Sequence, residues 1–181
     1  MIVRLESADD QHAVRDLHIA AFGDDGPLVA GLVDDLRALA AQDGLSLVAE
    51  DAGDVVGHVM FTPSLLDAPR RLVRVQVLSP VAVLPGHQRR GIGSALIRHG
   101  LDVMTERSVP VVFLEGDPGF YSRLGFRAAA EQGFRKPSLR IPDAAFQAIR
   151  LPAHEPWMSG TVVYAEVFWR HDGIGLRDPQ A

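Results

Sequence analysis

The chain has 181 residues, of which 47% are apolar and 23% charged, and its formal net charge is -5. This composition is that of one ordinary globular domain with a sizeable core, and it favours neither a nucleic-acid-binding protein nor a disordered chain. The absence of cysteine excludes disulfides, thiolate metal sites and a cysteine nucleophile. No apolar run approaches the roughly 20 residues that span a bilayer, and the N-terminus lacks the apolar core of a signal peptide, so we expect a cytoplasmic protein without a membrane partner.

The first residues of the chain indicate a short strand followed by two helices. An apolar run over residues 2–5 predicts the strand, and Ser7 with Asp10 three positions later predicts the capped start of a helix over 8–22. Pro27 suits the first turn of a second helix, because a backbone N–H at that position has no partner to lose. The apolar stripe of the second helix is predicted to be Leu28, Leu32, Leu36 and Leu39.

From residue 45 onward the pattern changes to strands. Residues 45–50 and 55–62 predict a hairpin joined by the turn sequence Asp-Ala-Gly-Asp. Residues 72–84 predict a longer strand whose alternating valines are interrupted at Ser79-Pro80. Because proline lacks the N–H that a strand ladder needs, we expect a local distortion of the strand at this point.

A helix and a buried strand follow. The helix is predicted over 91–106, and its apolar stripe is Leu96, Ile97, Gly100, Leu101 and Met104. The apolar run over 109–114 predicts a strand that lies parallel to the strand before the helix. Asp117 is expected to cap a short helix over 118–124, which Gly125 ends.

The remainder of the chain carries fewer patterns. A strand is predicted near 161–169 and a polar tail over 171–181. No repeat, linker or shift in composition marks a boundary, so we expect a single domain over 1–181.

A glycine-rich turn, Gln-Arg-Arg-Gly-Ile-Gly-Ser over residues 88–94, lies between the distorted strand and the long helix. A helix N-terminus carries unpaired N–H groups and a partial positive charge that suit phosphate, and Arg89 and Arg90 offer charged partners. The turn has no lysine as in a P-loop, and Gly91-Ile92-Gly93 lacks the third glycine of a dinucleotide-binding fingerprint. A plain strand-to-helix turn, with glycines for steric reasons, is the alternative interpretation.

Two blocks of the sequence resemble the GNAT superfamily of N-acetyltransferases. Gln88-x-x-Gly91-x-Gly93 is similar to the loop that binds the acyl-CoA pyrophosphate in this family, and G-F-Y-S-R-L-G-F over 119–126 resembles the segment after the next strand. The order of the predicted elements over 1–126 matches as well. The resemblance implies an α/β fold with a mixed, mainly antiparallel central sheet, helices on both faces and two splayed parallel strands.

The resemblance also implies a function for the whole chain. It predicts one acyl-CoA N-acyltransferase domain over 1–181, with a core over 1–126, a looser part over 127–170 and the polar tail. The expected reaction is transfer of an acetyl group from acetyl-CoA to a primary amine of a small molecule or peptide, by direct attack and without an acyl-enzyme. A non-catalytic acyl-CoA-binding or regulatory module and transfer of a longer acyl group are the alternatives. Dimers are common in the family, so the resemblance allows a homodimer.

The resemblance assigns a donor site to the main chain around the glycine-rich turn. Backbone groups of Val81, Ala82 and Val83 are expected to bind the pantetheine arm and to polarise the thioester carbonyl. Core packing of the Val81 and Val83 side chains is compatible with this role, because only their main chain is needed. The other cofactor-binding residues are expected to be Gln88, Arg89, Arg90, Gly91, Ile92, Gly93, Ser94 and Asp117.

Tyr121 matches the position of the family's general acid, which protonates the CoA thiolate as it leaves. An aromatic anchor for the short helix is the alternative role. The family often has a glutamate on the strand before the loop, but this strand carries Gln76 and Ser79, which leaves the general base unassigned. Glu115 is either that base or a solvated carboxylate, and Arg123 is expected on the surface.

The histidines and the late aromatic residues carry weaker patterns. His12 and His18, or His87 and His99, lack the spacing with carboxylates that marks a metal site, so no metal is expected. The late aromatic residues either line an acceptor pocket or belong to the core, and they are Trp157, Tyr164, Phe168 and Trp169.

Overall fold

The computed structural model describes residues 1–176, in which the strands form one mixed sheet. The strands of this part of the chain are β1 (Ile2–Leu5), β2 (Leu45–Asp51), β3 (Asp54–Asp67), β4 (Leu72–Val83), β5 (Val111–Glu115), β6 (Arg127–Ala128), β7 (Phe134–Arg135), β8 (Phe146–Arg150) and β9 (Gly160–Val163). Their order is β1-β2-β3-β4-β5-β8-β6, with β9 beside β3 and β7 beside β9.

Parallel and antiparallel pairs both occur in this sheet. The pairs β4–β5 and β7–β9 are parallel. The pairs β1–β2, β2–β3, β3–β9, β5–β8 and β6–β8 are antiparallel. The prediction of a mainly antiparallel sheet with two parallel strands around the long helix is therefore confirmed.

The helices lie at the predicted places in the first two thirds of the chain. They are α1 (Gln11–Phe22), α2 (Gly26–Asp43), α3 (Ile92–Glu106), α4 (Pro118–Tyr121) and α5 (Glu166–Arg170). Short 3-10 turns precede α1 and α2 and continue α4 through Ser122–Leu124. Within residues 1–176, none of the helices is both long and apolar enough to cross a membrane.

The chain forms two compact units. Unit 1 comprises Met1–Thr62 and Leu78–Met104, and unit 2 comprises Pro63–Val77 and the chain from Thr105 onward. The first part of β3 and the last part of β4 thus belong to unit 1, and their other parts belong to unit 2.

In unit 1, the start of α1 is fixed by the predicted capping pattern. The Ser7 backbone N–H and hydroxyl both donate to the Asp10 carboxylate at 2.7 Å. Arg4 donates to the same carboxylate at 2.7 and 2.9 Å, which ties β1 to the first turn of the helix. The predicted helix start is confirmed, and a charged neighbour that sequence spacing did not reveal reinforces it.

The buried face of α2 differs in part from the prediction. Leu28 is 49% exposed, so its place in the apolar stripe was wrong. The inward arc of the helix centres on small side chains, which let a helix approach its neighbours closely, and Leu28 lies to one side of that arc. The buried residues of α2 are Gly26, Ala30, Leu32, Val33, Leu36 and Ala40.

The predicted stripe of α3 is confirmed, since Leu96, Ile97, Gly100, Leu101 and Met104 are all buried. Gly100 marks a close approach within unit 1. A Cβ atom at this position would lie 2.2 Å from Cε2 of the buried Phe61 ring in β3. The helix therefore rests directly on the strand at this point, and the glycine is required by packing.

In unit 2, β5 is the buried centre, because Val111 to Leu114 have no exposed surface. The Phe113 ring stacks on Phe146 at 5.7 Å between centroids and meets Phe134 edge to face at 5.0 Å. These contacts bind β5 to the later strands β7 and β8, neither of which the sequence patterns predicted.

The predicted strand near 161–169 was wrong in its second half, because β9 ends at Val163 and α5 begins at Glu166. The apolar residues of α5, Val167 to Trp169, are consecutive and continue the apolar run of β9. Glu166 and Arg170 instead pair one helical turn apart at 2.8 Å, and Phe168 is buried. The predicted polar tail contains the buried Ile174, and its residues 177–181 lie outside the described part of the chain.

Candidate active site

The strand before the glycine-rich turn, β4, contains the proline that was expected to interrupt it. The Ser79–Pro80 peptide bond is cis. The parallel pairing of β4 with β5 covers Gln76–Val77 against Val112–Phe113 and therefore lies before this point. Residues 81–83 follow as a buried alanine between two half-buried valines. The strand runs through Ser79-Pro80 to Val83, so its local distortion and the role of residues 81–83 in binding pantetheine stay predictions.

The glycine-rich turn enters α3 through left-handed backbone. Arg89 has a φ of 59° and Gly91 a φ of 82°. The Gln88 side chain folds back and donates to the Val83 carbonyl at 3.1 Å, which ties the turn to the end of β4. A Cβ atom added at Gly91 would meet nothing within 4 Å, so the space beside this residue is open.

The first turn of α3 presents backbone donors. The Gly91 carbonyl accepts the Ala95 N–H at 2.9 Å, so Gly91 stands at the cap position of the helix. The amides of Ile92, Gly93 and Ser94 consequently have no carbonyl one turn earlier to bind. Together with the positive end of the helix dipole, these amides form a surface that attracts an anion such as phosphate.

Two exposed arginines flank this surface. Arg89 and Arg90 both project from unit 1 into solvent. Arg90 lies 3.7 Å from the Asp51 carboxylate at the tip of the β2–β3 hairpin, a distance that leaves its guanidinium only loosely held. The direction of the first-turn amides and the charge of the two arginines are thus compatible with the predicted binding of a diphosphate.

Close packing holds the start of α3 in place. A Cβ atom at Gly57 in β3 would lie 2.9 Å from Cγ2 of Ile92 and 3.0 Å from Cδ1 of Leu96. The Leu84 N–H donates to the Val56 carbonyl at 3.0 Å. The turn therefore stands on a rigid support, which keeps its backbone amides in fixed directions.

In unit 2, Tyr121 ends the one-turn helix α4 and is 9% exposed. Its ring lies against the backbone of Gly116, where a Cβ atom would come within 2.3 Å of Cε2. Phe120 and Phe126 meet the ring edge to face, with centroids 4.9 and 5.9 Å away. Burial raises the pKa of Tyr121 to about 12, so the hydroxyl holds its proton at neutral pH.

Asp117 and Arg123 have local structural contacts. Asp117 accepts the Gly119 N–H at 2.8 Å, which confirms it as the cap of α4. The Arg123 guanidinium donates to the Gly119 carbonyl at 2.9 Å and lies over the Phe120 ring, and the side chain is exposed as predicted. A contact of Asp117 with the cofactor stays a prediction.

Glu115 ends β5 directly before Gly116, and its carboxylate is partly buried. Its Oε2 accepts the Gly175 N–H at 2.9 Å. Burial raises the pKa of Glu115, while the contacts with Gly175, Tyr164 and Arg140 act in the opposite direction. The carboxylate is thus neither simply solvated nor held in an ion pair within the described residues.

The comparison with known proteins adds a family to this geometry. The family model described as acetyltransferase (GNAT) domain matches residues 3–129. A curated Escherichia coli (strain K12) protein, the uncharacterized N-acetyltransferase YhbS, is 34% identical over 177 residues, which are 94% of this chain and 99% of that protein. The chain belongs to the GNAT acetyltransferase family. It is an acyltransferase, as the resemblance of its two sequence blocks implied.

Solved structures of GNAT proteins agree with this assignment. The E. coli GNAT family N-acetyltransferase YhbS in complex with CoA has a TM-score of 0.83 and 32% identity, covering 97% of this chain and 95% of that one. A GNAT family acetyltransferase from Brucella melitensis in complex with acetyl-CoA has a TM-score of 0.73 and 34% identity, covering 92% and 97%. Both relatives bind CoA or its acetyl ester, and their fold confirms the predicted fold class.

A buried polar chain in unit 1 of this GNAT protein was not predicted. His18 Nε2 lies 2.9 Å from His58 Nδ1, and His58 Nε2 lies 2.9 Å from the Ser46 hydroxyl. That hydroxyl donates to Glu6 Oε2 at 2.5 Å, and Arg37 donates to Glu6 Oε1 at 2.9 Å. Both histidine side chains are fully buried. This polar chain of hydrogen-bonded side chains links α1 and α2 to the strands beneath them.

The buried environment of this polar chain keeps its two histidines, His18 and His58, neutral. Burial lowers the pKa of His18 to about 3, and it lowers the pKa of His58 as well. Burial acts to raise the pKa of Glu6, but its contacts with His58, Ser46 and Arg37 prevail and hold it at about 2. The only signal in the sequence was the position of His18 on the apolar face of α1. In residues 1–176, no group of three or more histidine, aspartate or glutamate side chains could hold a metal ion.

Proposed function

We propose that this acyltransferase moves an acetyl group from acetyl-CoA to a primary amine by direct attack. The neutral amine attacks the thioester carbonyl carbon, and a C–N bond forms. The tetrahedral intermediate then breaks its C–S bond, the nitrogen loses one proton to become the amide nitrogen, and the CoA thiolate receives one proton. No acyl-enzyme is needed, and the chain has no cysteine to form one by way of a thiol.

The glycine-rich turn carries the proposal on the donor side. Its first-turn amides, the open space beside Gly91 and two exposed arginines suit a diphosphate. The structural relative that matches almost the whole chain is a complex with CoA. We assign the pyrophosphate to residues 88–94 and the pantetheine amides to the main chain of residues 81–83, with Asp117 as a further cofactor contact.

Tyr121 supports the proposal on the chemical side. It stands in the sequence block that matches the family's acid, and its pKa of about 12 keeps its proton available. Transfer of that proton to the leaving thiolate completes the reaction, and general acid help of this kind contributes roughly 10²–10⁴ in rate. A neutral phenol also adds no charge to a site that must expel an anion.

We further propose that the whole chain, 1–181, acts as one acyl-CoA N-acyltransferase domain. The curated relative YhbS matches 94% of the chain, which supports a single functional module with its core over 1–126. Because acetyl-CoA is a cytoplasmic metabolite, the proposed reaction belongs in the cytoplasm. The acceptor is a small molecule or peptide, and a homodimer is compatible with this function.

A thiol-release assay tests the proposal. The protein is incubated with acetyl-CoA and, in turn, with spermidine, kanamycin, lysine or a lysine-containing peptide, and free CoA is measured. We expect one class of amine to stimulate release at a rate that saturates with amine concentration. Acetyl-CoA binding without release for any acceptor would favour the alternative of a binding module. Faster release of CoA from a longer acyl-CoA would favour the alternative, in which the protein transfers that longer acyl group.

A further inference from the structure

Glu115 occupies a special position at the end of the central strand of unit 2. The parallel pairing of β5 with β4 covers only Val112–Phe113 on the β5 side, and β5 continues for two residues beyond it. On its other side, Glu115 pairs with Phe146 of β8. The next residue, Gly116, carries the backbone on which the Tyr121 ring rests. The carboxylate thus belongs to the same strand end as the proposed acid.

A short segment of chain contacts this partly exposed carboxylate. We call residues 172–176 the C-terminal cap. Gly175 has a φ of 58°, and a Cβ atom there would lie 2.6 Å from the Arg140 carbonyl oxygen, so the cap presses on the loop before β8. Ile174 in the cap is fully buried, and Arg140 pairs with Asp172 at 3.1 Å. The cap is therefore a packed element that holds the Gly175 N–H against Glu115.

Within residues 1–176, the Gly175 N–H donates the one hydrogen bond of good geometry that the Glu115 carboxylate accepts. A half-buried carboxylate is costly unless hydrogen bonds or a cation balance its charge. Arg140 acts on Glu115 from a distance, but its ion pair is with Asp172. Within residues 1–176, no cation lies within ion-pair distance of Glu115.

Tyr164 is the other group that faces Glu115. It is 4% exposed, and its hydroxyl finds no hydrogen-bond partner of good geometry in the described part of the chain. It nevertheless lies close enough to Glu115 for each group to shift the proton affinity of the other, and burial with the nearby carboxylate raises the pKa of Tyr164 well above its usual value. The Tyr164 hydroxyl is thus a protonated hydrogen-bond donor close to the Glu115 carboxylate, and a small shift would let the two groups form a hydrogen bond of good geometry.

We propose that Glu115 accepts the proton that the acceptor amine must lose and that Tyr164 is the residue that positions and tunes this carboxylate. An aliphatic primary amine is an ammonium ion at neutral pH and has no lone pair to attack with. One N–H proton of the ammonium passes to a Glu115 oxygen, and the neutral amine attacks the thioester carbonyl carbon, which forms the C–N bond of the tetrahedral intermediate. As this intermediate breaks its C–S bond, the thiolate takes a proton from Tyr121. The nitrogen then gives its remaining surplus proton to the Tyr121 phenolate, which leaves a neutral amide and restores the tyrosine. The inference rests on the proposed function and names its acceptor class, an aliphatic ammonium.

The chemistry of the carboxylate favours this role over a purely structural one. A general base works best when its pKa lies near the working pH, and burial shifts Glu115 in that direction. The negative charge also attracts the cationic acceptor before the proton moves.

Glu115→Gln tests the inference with two acceptors. One is the amine of the panel that the wild type acetylates fastest, and the other is hydroxylamine, which is largely uncharged near neutral pH. We expect turnover of the ammonium acceptor to fall by about 10²-fold and its rate to rise about tenfold per pH unit as the free amine forms. Turnover of hydroxylamine should stay within about threefold of the wild type. Glu131→Gln, an exposed carboxylate of the same unit, is the matched control and should change neither rate.

The outcomes separate the inference from the proposed function. A wild type without acceptor-dependent release refutes the proposed function whatever Glu115 does. An active wild type with an unchanged Glu115→Gln variant refutes the inference alone. Equal loss with both acceptors at an unchanged melting temperature also refutes it, because uncharged hydroxylamine has no ammonium proton for Glu115 to take.

Tyr164→Phe gives a second test if Glu115→Gln does not fold. The Tyr164 hydroxyl lowers the pKa of Glu115, so its removal raises that pKa. The acidic limb of the kcat/KM profile should then move to higher pH for the ammonium acceptor, while the KM for acetyl-CoA stays constant. An acidic limb that does not move overturns the role of the pair.

Discussion

Tyr121 combines a buried ring with a proton that it holds firmly. Its pKa of about 12 results from burial against Gly116, Phe120 and Phe126. A phenol that stays protonated at neutral pH suits an acid that must wait for a thiolate to form. The same environment also makes the ring an anchor for α4, so removal of the hydroxyl alone is the change that separates the two roles.

Tyr121→Phe keeps the ring and removes the proton. We expect kcat to fall by at least about tenfold, because the thiolate must then leave without general acid help. Affinity for acetyl-CoA, measured by calorimetry, should stay nearly constant. Ser122→Ala removes an exposed hydroxyl from the next position and should leave both values unchanged. A Tyr121→Phe variant with full turnover would show that the tyrosine is only an anchor.

Gly91 is the residue at which the backbone of the glycine-rich turn requires glycine. Its φ of 82° is costly for any residue with a side chain, at roughly 1–2 kcal/mol. Gly91→Ala should therefore shift the turn and its amides, and we expect the Kd for CoA to rise about tenfold, equal to about 1.4 kcal/mol. Gly86→Ala is the matched control, because an added Cβ there also meets nothing within 4 Å and its φ is not positive. Equal affinities of the two variants would contradict the assignment of the turn.

The local parts of the site could be predicted from the sequence, and its long-range parts could not. The glycine-rich turn, the Asp117 cap and Tyr121 each belong to a motif of a few neighbouring residues. The relation of Glu115 to Tyr164 and Gly175 depends on where α5 and the C-terminal cap fold back. No pattern within one segment contains that information.

At the scale of the elements, the polar chain from His18 to Glu6 joins helices and strands of unit 1. Its histidines are buried and neutral, and their hydrogen bonds are made only in the folded state. In the unfolded chain the same histidines are free to take up protons. The linkage between proton uptake and folding therefore makes unit 1 sensitive to mild acid.

The stability of the protein should fall as the pH drops below the ordinary histidine pKa of 6.5. The pKa of His18 is about 3 in the folded state, so below 6.5 only the unfolded state gains its proton. For each such histidine, the unfolding free energy then decreases by about 1.4 kcal/mol per pH unit. Urea titrations between about pH 7.5 and pH 5.5 measure this decrease. The stabilisation by Glu6 is lost only below pH 4.5, as the pH falls towards its pKa of about 2, and lies outside this window.

Two variants separate the buried histidines from exposed ones. His18→Gln should reduce the loss of stability with acid, because it removes one titrating group. His12→Gln changes an exposed histidine of the same helix and is the matched control. A wild type whose unfolding free energy is constant across this pH range would refute the linkage.

Periodicity predicted the long elements and missed the short ones. The stripe of α3 and the hairpin of β2 and β3 follow from patterns that extend over many residues. The strands β6 and β7 have two residues each, too few for any alternation to appear. The helix α5 was read as a strand because its five residues do not complete enough turns to show a helical period.

At the scale of the whole molecule, sequence similarity to YhbS extends over almost the entire chain. YhbS matches 94% of the sequence, including the late strands and α5 that the sequence patterns described poorly. The donor turn lies in unit 1, and Tyr121, Glu115 and Tyr164 lie in unit 2.

The most direct test of the account follows the acetyl group itself. The protein is incubated with acetyl-CoA that carries an isotopically labelled acetyl group and with the amine panel, and mass spectrometry detects the label on the acceptor nitrogen. We predict an N-acetylated aliphatic amine in the same molar amount as the CoA released. Release of CoA with the label found only as free acetate, or no release for any amine despite CoA binding, would contradict acetyl transfer to an amine.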